Sequence, residues 1–198
     1  MTQLSAAILM GLLVLTWNAA AVAQTGQPLE RYVNGHRGPY RGRVLDAETG
    51  KPLVGVVVVA VWRRDRIMPL GGRSEHYAAR EALTNADGEW VIDADDVERD
   101  APKRTLRPFF TIFLPGYGRY RNEPGPTPRS TLKFFEGAGN AVELPRLKDK
   151  EERRMHLRTV DPYDLSEKPF TEIPEFTRLF NQERVTMGLG PYPSAGRQ

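Results

Sequence analysis

The segment from Val54 to Trp62 restricts the fold of this chain more than any other, because six of its nine residues are valine. Valine carries two heavy atoms on Cβ, which limits its χ1 angle in a helix and suits a pleated strand. A strand with one face in water alternates apolar and polar residues, and this segment does not. It therefore predicts a strand buried on both faces, with Val56, Val58, Ala60 and Trp62 on one face and Val57, Val59 and Val61 on the other.

Two glycine-ended turns lie on either side of this strand along the chain. Asp46 to Gly50 and Asn85 to Gly88 each begin with a side chain that accepts backbone N–H bonds. Each ends with glycine, which adopts a positive φ without steric cost. We therefore expect the chain to reverse at both places, between short strands.

A second segment, Phe109 to Leu114, is also apolar on both faces. Phe109 and Phe113 oppose Phe110, Ile112 and Leu114, so the outer face of at least one sheet needs a cover. Either the C-terminal part of the chain or a partner protein supplies it. The predicted helix from about Pro174 to Met187 has a matching apolar stripe, formed by Ile173, Phe176, Leu179, Phe180 and Met187.

The motifs around these strands resemble one family. They read G-R-V-x-D-A-x-T-G-K-P-L-x-G-V-x-V-x-A from Gly42, then T-N-A-D-G-E-W from Thr84 and L-P-G-Y-G from Leu114. This pattern is similar to the carboxypeptidase regulatory-like domain, a member of the transthyretin-like (prealbumin-like) group. The resemblance covers residues 40–147 and implies an all-β fold, a seven-stranded transthyretin-like, Ig-like β-sandwich.

The rest of the chain divides into three parts around that domain. Residues 1–23 have the apolar run Ala6 to Leu15 and the small-x-small motif Ala21-Val22-Ala23, which predict a cleaved signal peptide rather than an uncleaved anchor. Residues 24–39 form a linker. Residues 148–198 predict a helical C-terminal extension, with one helix within Leu147 to Arg158, the second helix described above and a disordered tail from Gly190.

The signal peptide and the composition indicate where the protein works. The chain has no cysteine, so it forms no disulfide and has no lipid-anchor cysteine after the signal segment. We expect a periplasmic or extracellular protein with no membrane span after cleavage. The formal net charge is only +3, and the basic clusters alternate with acids, which argues against a nucleic-acid partner.

No metal, cofactor or catalytic residue is assigned from the sequence. The three histidines, His36, His76 and His156, are widely spaced and are interpreted as isolated surface residues. The acidic run from Asp93 to Asp100 lacks the pattern of an EF-hand loop and is interpreted as a solvated loop. No serine sits in a G-x-S-x-G elbow, a check that covers Ser74, Ser130, Ser166 and Ser194.

These observations favour a non-catalytic module with a structural or protein–protein interaction role at the bacterial cell envelope. The alternative is a carbohydrate-binding module in which exposed aromatic residues stack on a sugar, and the candidates are Trp62, Trp90, Tyr117 and Tyr120. The loop Asn122 to Arg129 is a further candidate contact because it contains three prolines. A third class, a hydrolase with a site that no motif reveals, also stays open.

The signal-peptide interpretation makes one direct prediction. Mass spectrometry of the exported protein should find an N-terminus at Gln24, because the small residues Ala21 and Ala23 fit the pockets of the signal peptidase. Recovery of an intact Met1 in the envelope fraction would contradict it.

Overall fold

The structure, a computed structural model, describes residues 38–69, 71–120, 135, 140–160 and 171–192. In this part of the chain strands outnumber helices. The elements in chain order are β1 (Tyr40–Asp46), β2 (Val57–Met68), β3 (Gly71–Leu83), β4 (Glu89–Ile92), α1 (Asp95–Glu98), β5 (Phe109–Phe113), β6 (Ala141–Leu144), α2 (Lys150–Thr159) and α3 (Pro174–Thr186).

The strands form two small sheets of three strands each, in the orders β4-β1-β6 and β3-β2-β5. Strand β1 is antiparallel to β4 and parallel to β6, whereas β2 is antiparallel to both its neighbours. Two small sheets with few helices are consistent with the predicted all-β class. The described residues contain six strands, against the seven that the family resemblance implies.

The two sheets contribute to one apolar core. Val58 and Trp62 of β2 are fully shielded from solvent, and so is Tyr40 of β1 in the other sheet. Trp90 of β4 enters the same core, and the Tyr40 and Trp62 ring centroids are 6.3 Å apart. The even-numbered face of β2 thus joins its own sheet to the second one.

The odd-numbered face of β2 packs against the C-terminal helices. Val57, Val59 and Val61 belong to a second buried cluster with Phe176 and Phe180 of α3. Their neighbour Phe113 of β5 places its ring 5.7 Å from the Phe176 ring and 5.8 Å from the Phe180 ring. The expectation that this face needs a cover is confirmed, and the cover is the chain's own extension.

Helix α3 is held at both ends by carboxylates. Glu81 of β3 accepts hydrogen bonds from the backbone N–H groups of Glu175 and Phe176 at 2.7 and 2.9 Å. Amides in the first helical turn have no intrahelical acceptor, so Glu81 satisfies groups that would otherwise be buried without partners. Near the other end, Glu183 forms two hydrogen bonds with Arg153 of α2 at 2.7 and 2.6 Å.

The predicted bounds of α3 are close to those observed. Pro174 occupies the start of the helix, and Gly188 follows its end with a φ of 76°. The prediction of a disordered tail from Gly190 is wrong for the first three residues of that tail. The Tyr192 backbone N–H donates to the Asn181 side chain at 2.6 Å and its ring packs on Phe180, so Gly190 to Tyr192 are ordered along α3.

Several predicted segments lie outside the described residues. They are the signal segment, most of the 24–39 linker, the Asn122 to Arg129 loop and the last six residues. Among the described helices, none has the length and apolar character that crossing a membrane requires.

The outer cluster predicts a test of the C-terminal cover. Phe176→Ala should reduce the free energy of unfolding by about 3–5 kcal/mol, because it removes a fully buried ring and leaves a cavity. For a domain of this size that loss lowers the melting temperature by roughly 6–20 °C. Deletion of residues 161–198 should lower it further or produce an oligomer, because it exposes the whole odd-numbered face of β2.

Val185→Ala is the matched control on α3, because its side chain is 58% exposed. It should change the unfolding free energy by about 0.5 kcal/mol or less. Equal melting temperatures of Phe176→Ala and the unmodified protein, measured by circular dichroism, would contradict the packing of α3 against β2.

Candidate functional site

The acidic run from Asp93 to Asp100 is split by the fold. Asp95 forms an ion pair with Arg99, and Asp96 forms one with Arg80 of β3. Glu98 turns the other way, into the core between the sheets. The interpretation of the run as one solvated loop is therefore wrong for Glu98, because α1 places this side chain on its inner face. Among the described residues no three metal-binding side chains of His, Asp or Glu lie together.

Glu98 is a buried carboxylate with aromatic hydrogen-bond donors. Its Oε1 atom accepts from the Tyr40 hydroxyl at 2.7 Å and from the Trp62 indole N–H at 2.8 Å. Its Oε2 atom is buried and has no hydrogen-bond partner among the residues that the structure describes. Because Tyr40 and Trp62 come from different sheets, Glu98 connects the two sheets and α1 at one point.

The interpretation of the histidines as isolated surface residues is also wrong for the two that the structure describes. His76 of β3 has a side chain only 8% exposed, and its Nε2 atom lies 3.3 Å from a carboxylate oxygen of Glu172. His156 of α2 stacks on Phe113 with an interplanar angle of 17°, and its buried Nε2 atom has no hydrogen-bond partner in the described part of the chain. His36 lies outside the described residues.

Asp46 is the centre of a polar cluster that brings two of the sequence motifs together. Its Oδ1 atom accepts the backbone N–H groups of Glu48 and Thr49, both at 2.9 Å. Its Oδ2 atom accepts the Tyr117 hydroxyl at 2.9 Å and Arg146 Nε at 3.0 Å. The turn after β1, the Leu114–Gly118 turn and the end of β6 therefore meet at one carboxylate.

The electrostatics of Asp46 follow from these contacts. Burial by itself raises the pKa of the Asp46 carboxyl, but the hydrogen bonds from Arg146, Tyr117, Thr49 and Glu48 together hold this pKa well below its usual range. Burial and the nearby Asp46 carboxylate both raise the pKa of Tyr117. The cluster stabilises the fold through an ionised carboxylate.

The aromatic residues considered for a sugar-stacking platform do not form an exposed row. Trp62 and Trp90 are fully buried or nearly so in the core between the sheets, and Tyr120 is 8% exposed. Tyr117 is partly buried and its hydroxyl is bound to Asp46. These rings therefore serve the core rather than a flat open surface.

Strands β2 and β3 continue beyond the end of β5 as an exposed two-stranded extension of the sheet. Strands β2 and β3 stay paired from Val57–Leu83 to Met68–Gly71, whereas β5 pairs with β2 only as far as Val61. The loop before β5 continues along β2 to Asp65, whose N–H donates to the Arg104 carbonyl at 3.0 Å. We call residues 64–69 and 71–75 the arm.

The two faces of the arm differ in charge. The register pairs Arg64 with Glu75, Arg66 with Arg73 and Met68 with Gly71. Since alternate residues share a face, three arginines, one glutamate and Met68 lie on the same side. Met68 is 53% exposed, so the arm presents an apolar side chain beside an excess of positive charge.

A cavity of about 540 Å³ lies at the base of the arm, between β5 and α2. Six polar side chains line it, and none of the described lining residues is acidic. They are Arg63, Ser74, Thr111, Arg119, His156 and Thr159. Arg63 is held at the wall by Ser74, whose carbonyl accepts a hydrogen bond from the Arg63 guanidinium at 2.9 Å.

The remaining wall of the cavity is apolar. It is formed by Tyr120, by Val160 and by five side chains of β2, β5 and the loop before β5. These five are Val61, Leu106, Phe109, Phe110 and Ile112. Burial lowers the pKa of His156 below its usual range, Arg119 lowers it further, and Glu183 opposes both. The imidazole is therefore mainly neutral at pH 7.

Sequence reasoning did not identify these cavity residues. The sequence predicts that Arg63 belongs to a solvated basic cluster and that His156 is an isolated surface residue, and it assigns no role to Arg119. One signal was available on α2, where Arg153, His156, Leu157 and Val160 recur at the spacing of one helical face. The partners of that face come from β2, β5 and α3, which are distant in sequence.

Comparison of the chain with protein-family models, with curated proteins and with solved structures finds no match.

The Asp46 cluster predicts a pH-dependent stability. The folded pKa of Asp46 is depressed, so its contribution is present above the unfolded pKa of about 3.9 and is lost as the pH falls through the folded value. Asp46→Asn should therefore lower the melting temperature at pH 7, and the difference from the unmodified protein should narrow below about pH 4.

Asp87→Asn is the control, because Asp87 is an exposed carboxylate in the other glycine-ended turn. Melting curves from pH 2 to pH 7 compare the three proteins. The stabilising role of the ionised Asp46 carboxylate would be overturned if the loss of melting temperature in Asp46→Asn did not change with pH. It would also be overturned if this loss matched that of Asp87→Asn.

Proposed function

We propose that this chain is a non-catalytic β-sandwich module that binds a protein partner in the periplasm or outside the cell. The single observation that carries the proposal is the arm, an exposed extension of β2 and β3 on which Met68 lies on the same side as three arginines and one glutamate. The module would act in a structural or interaction role at the bacterial cell envelope.

The sandwich and the family resemblance receive support from two contacts. Side chains of both sheets share one core, which is the defining feature of sheet-on-sheet packing. Asp46 of the D-A-x-T-G motif and Tyr117 of the L-P-G-Y-G motif are bonded to each other, so two motifs far apart in sequence meet at a single contact. We infer a carboxypeptidase regulatory-like domain from this agreement.

The non-catalytic role is supported by what the buried carboxylates do. Asp46 binds a turn and two side chains, Glu98 connects the sheets, and Glu183 joins α2 to α3. Each of these groups has a structural partner that accounts for its burial. Catalytic acids and bases instead need a substrate within hydrogen-bond reach.

The chemistry of the arm indicates the kind of partner. Arginine and methionine are enriched at protein interfaces, where they combine apolar contact with charge. On this face lie Arg64, Arg66 and Arg73 together with Glu75, which forms an ion pair with Arg66. We expect a protein surface with an apolar pocket for Met68 and an acidic rim.

Site-specific photocrosslinking tests this function. A photoreactive amino acid at position 68, expressed in the native host, should capture one envelope protein because Met68 points to the proposed contact. With that partner purified, Met68→Asp should weaken binding by about tenfold or more, because a hot-spot residue near the centre of an interface contributes about 2 kcal/mol or more.

Position 91 provides the matched control, since Val91 of β4 is 56% exposed on the other sheet. Crosslinking from position 91 should be absent, and Val91→Asp should leave the affinity within about twofold. Crosslinks only between two copies of this chain, or only to lipid or glycan, would overturn the proposal. Equal weakening of binding by Met68→Asp and Val91→Asp would also overturn it.

A further inference from the structure

We propose that the cavity between β5 and α2 is a groove that binds an extended peptide, which adds as a further strand to the outer edge of β5. The occupant is a short segment of another protein, held by backbone hydrogen bonds and by burial of an apolar side chain. Met68 of the arm does not line this groove, so the inference is independent of the proposed function.

The groove runs along one edge of the sheet β3-β2-β5. In the described part of the chain β5 is an edge strand, because β2 is the strand that pairs with it. Four consecutive residues of β5, 109–112, line the groove, whereas a pocket over one face of a strand would contact alternate residues. At about 3.3 Å per residue these four span about 13 Å, which is the length of a short strand.

The hydrogen bonds of β2 determine which backbone groups of β5 face the groove. The Val56 carbonyl, just before β2, accepts from the Thr84 N–H on the β3 side. The Arg63 carbonyl accepts from the Leu106 N–H on the β5 side. Because the backbone groups of successive residues in a strand point to opposite sides, the odd-numbered residues of β2 point to β5. They bond to the odd-numbered residues of β5, which are their register partners.

Phe110 and Ile112 therefore direct their backbone N–H and C=O groups away from β2 and toward the groove. None of these four groups has a hydrogen-bond partner among the described residues. Ile112 is only 5% exposed, so its unpaired groups have little access to water. Such groups are rare because they cost a free energy comparable to a lost hydrogen bond, and an added strand would supply partners for them.

The chemistry of the groove favours a peptide over other ligands. A peptide backbone offers N–H donors and C=O acceptors at the spacing of β5, whereas a carboxylate offers acceptors alone. Phe109 on the strand side is 43% exposed, and Val160 lines the α2 side. A volume of about 540 Å³ is within the usual range for ligand sites. We expect a short extended segment in which apolar and polar residues alternate.

Hydrogen exchange of the full-length protein tests the unpaired edge without a ligand. The amides of Phe110 and Ile112 should exchange at least about tenfold faster than those of Thr111 and Phe113, which bond to β2. Equal protection along β5 would show that the protein itself satisfies this edge, and it would overturn the inference. Protection that rises with protein concentration would identify a second copy of the chain as the occupant and would overturn it too.

Peptide binding is measured by NMR with acetyl-Thr-Val-Thr-Val-Thr-amide. At a peptide concentration ten times the Kd, exchange of the Phe110 and Ile112 amides should slow by about tenfold, because only the free fraction exchanges. The Leu83 amide is the internal control, since it lies on β3 at the opposite edge of the sheet, and its exchange should change less than about twofold. No binding at millimolar peptide, or equal slowing at Leu83, would overturn the inference.

N-methylated forms of the same peptide separate strand addition from apolar contact alone. Methyl groups on residues 3 and 4 block both edges of the extended peptide, whereas methyl groups on residues 2 and 4, or on residues 3 and 5, block one edge. The form with both edges blocked should bind at least about tenfold more weakly than the better of the two other forms. Equal affinities would show that backbone pairing does not hold the peptide, and they would overturn the inference.

A pair of tryptophan variants on α2 assigns the binding to the groove. Thr159 is exposed and lines the groove, so Thr159→Trp should fill part of it and weaken peptide binding by about tenfold or more. Met155→Trp is the control, because Met155 is 50% exposed and is not among the lining residues, and it should change the affinity less than about twofold. Circular dichroism checks that both variants are folded. Equal weakening by the two would place the peptide elsewhere.

Discussion

Burial of β2 on both of its faces is the constraint on which the rest of the structure depends. Its even-numbered residues enter the core between the sheets, and its odd-numbered valines enter the core beneath α3. Each apolar face must leave water, because burying apolar surface is the main favourable term in folding. The second sheet covers one face and the C-terminal helices cover the other, so residues 150–160 and 171–192 are part of the folded unit rather than an appendage.

Buried and half-buried carboxylates position the elements around these two cores. Glu98 joins the sheets through Tyr40 and Trp62, and Glu81 accepts the amides that begin α3. Burying a charge is costly unless hydrogen bonds compensate for it, so each of these groups specifies where its partners must lie. Apolar packing alone tolerates sliding of one layer over another, whereas these contacts do not.

The candidate functional surfaces occur where β2 leaves the shared cores. The register of β2 and β3 shifts between Trp62 and Arg63, and beyond that point the burial of β2 falls and charged residues begin. A β-bulge redirects the side chains that follow it. Arg63 consequently lines the cavity beside α2, while Arg64 and Arg66 share the exposed face of the arm. One strand therefore supplies the core, the cavity and the arm in succession.

Local sequence determined the features that depend on neighbouring residues. The strand at Val57, both faces of β5, the glycine-ended turns and the bounds of α3 follow from side-chain shape, alternation and helix-end preferences, which act over a few residues. It also determined that one of the two faces of β2 needed a cover beyond the second sheet, without deciding which face. Only the tertiary structure decided which element supplied it, why Glu98 turned inward, and which distant residues met at Asp46 and around His156. These contacts join residues 30 to 100 positions apart, and their geometry depends on how whole elements pack, which no local pattern records.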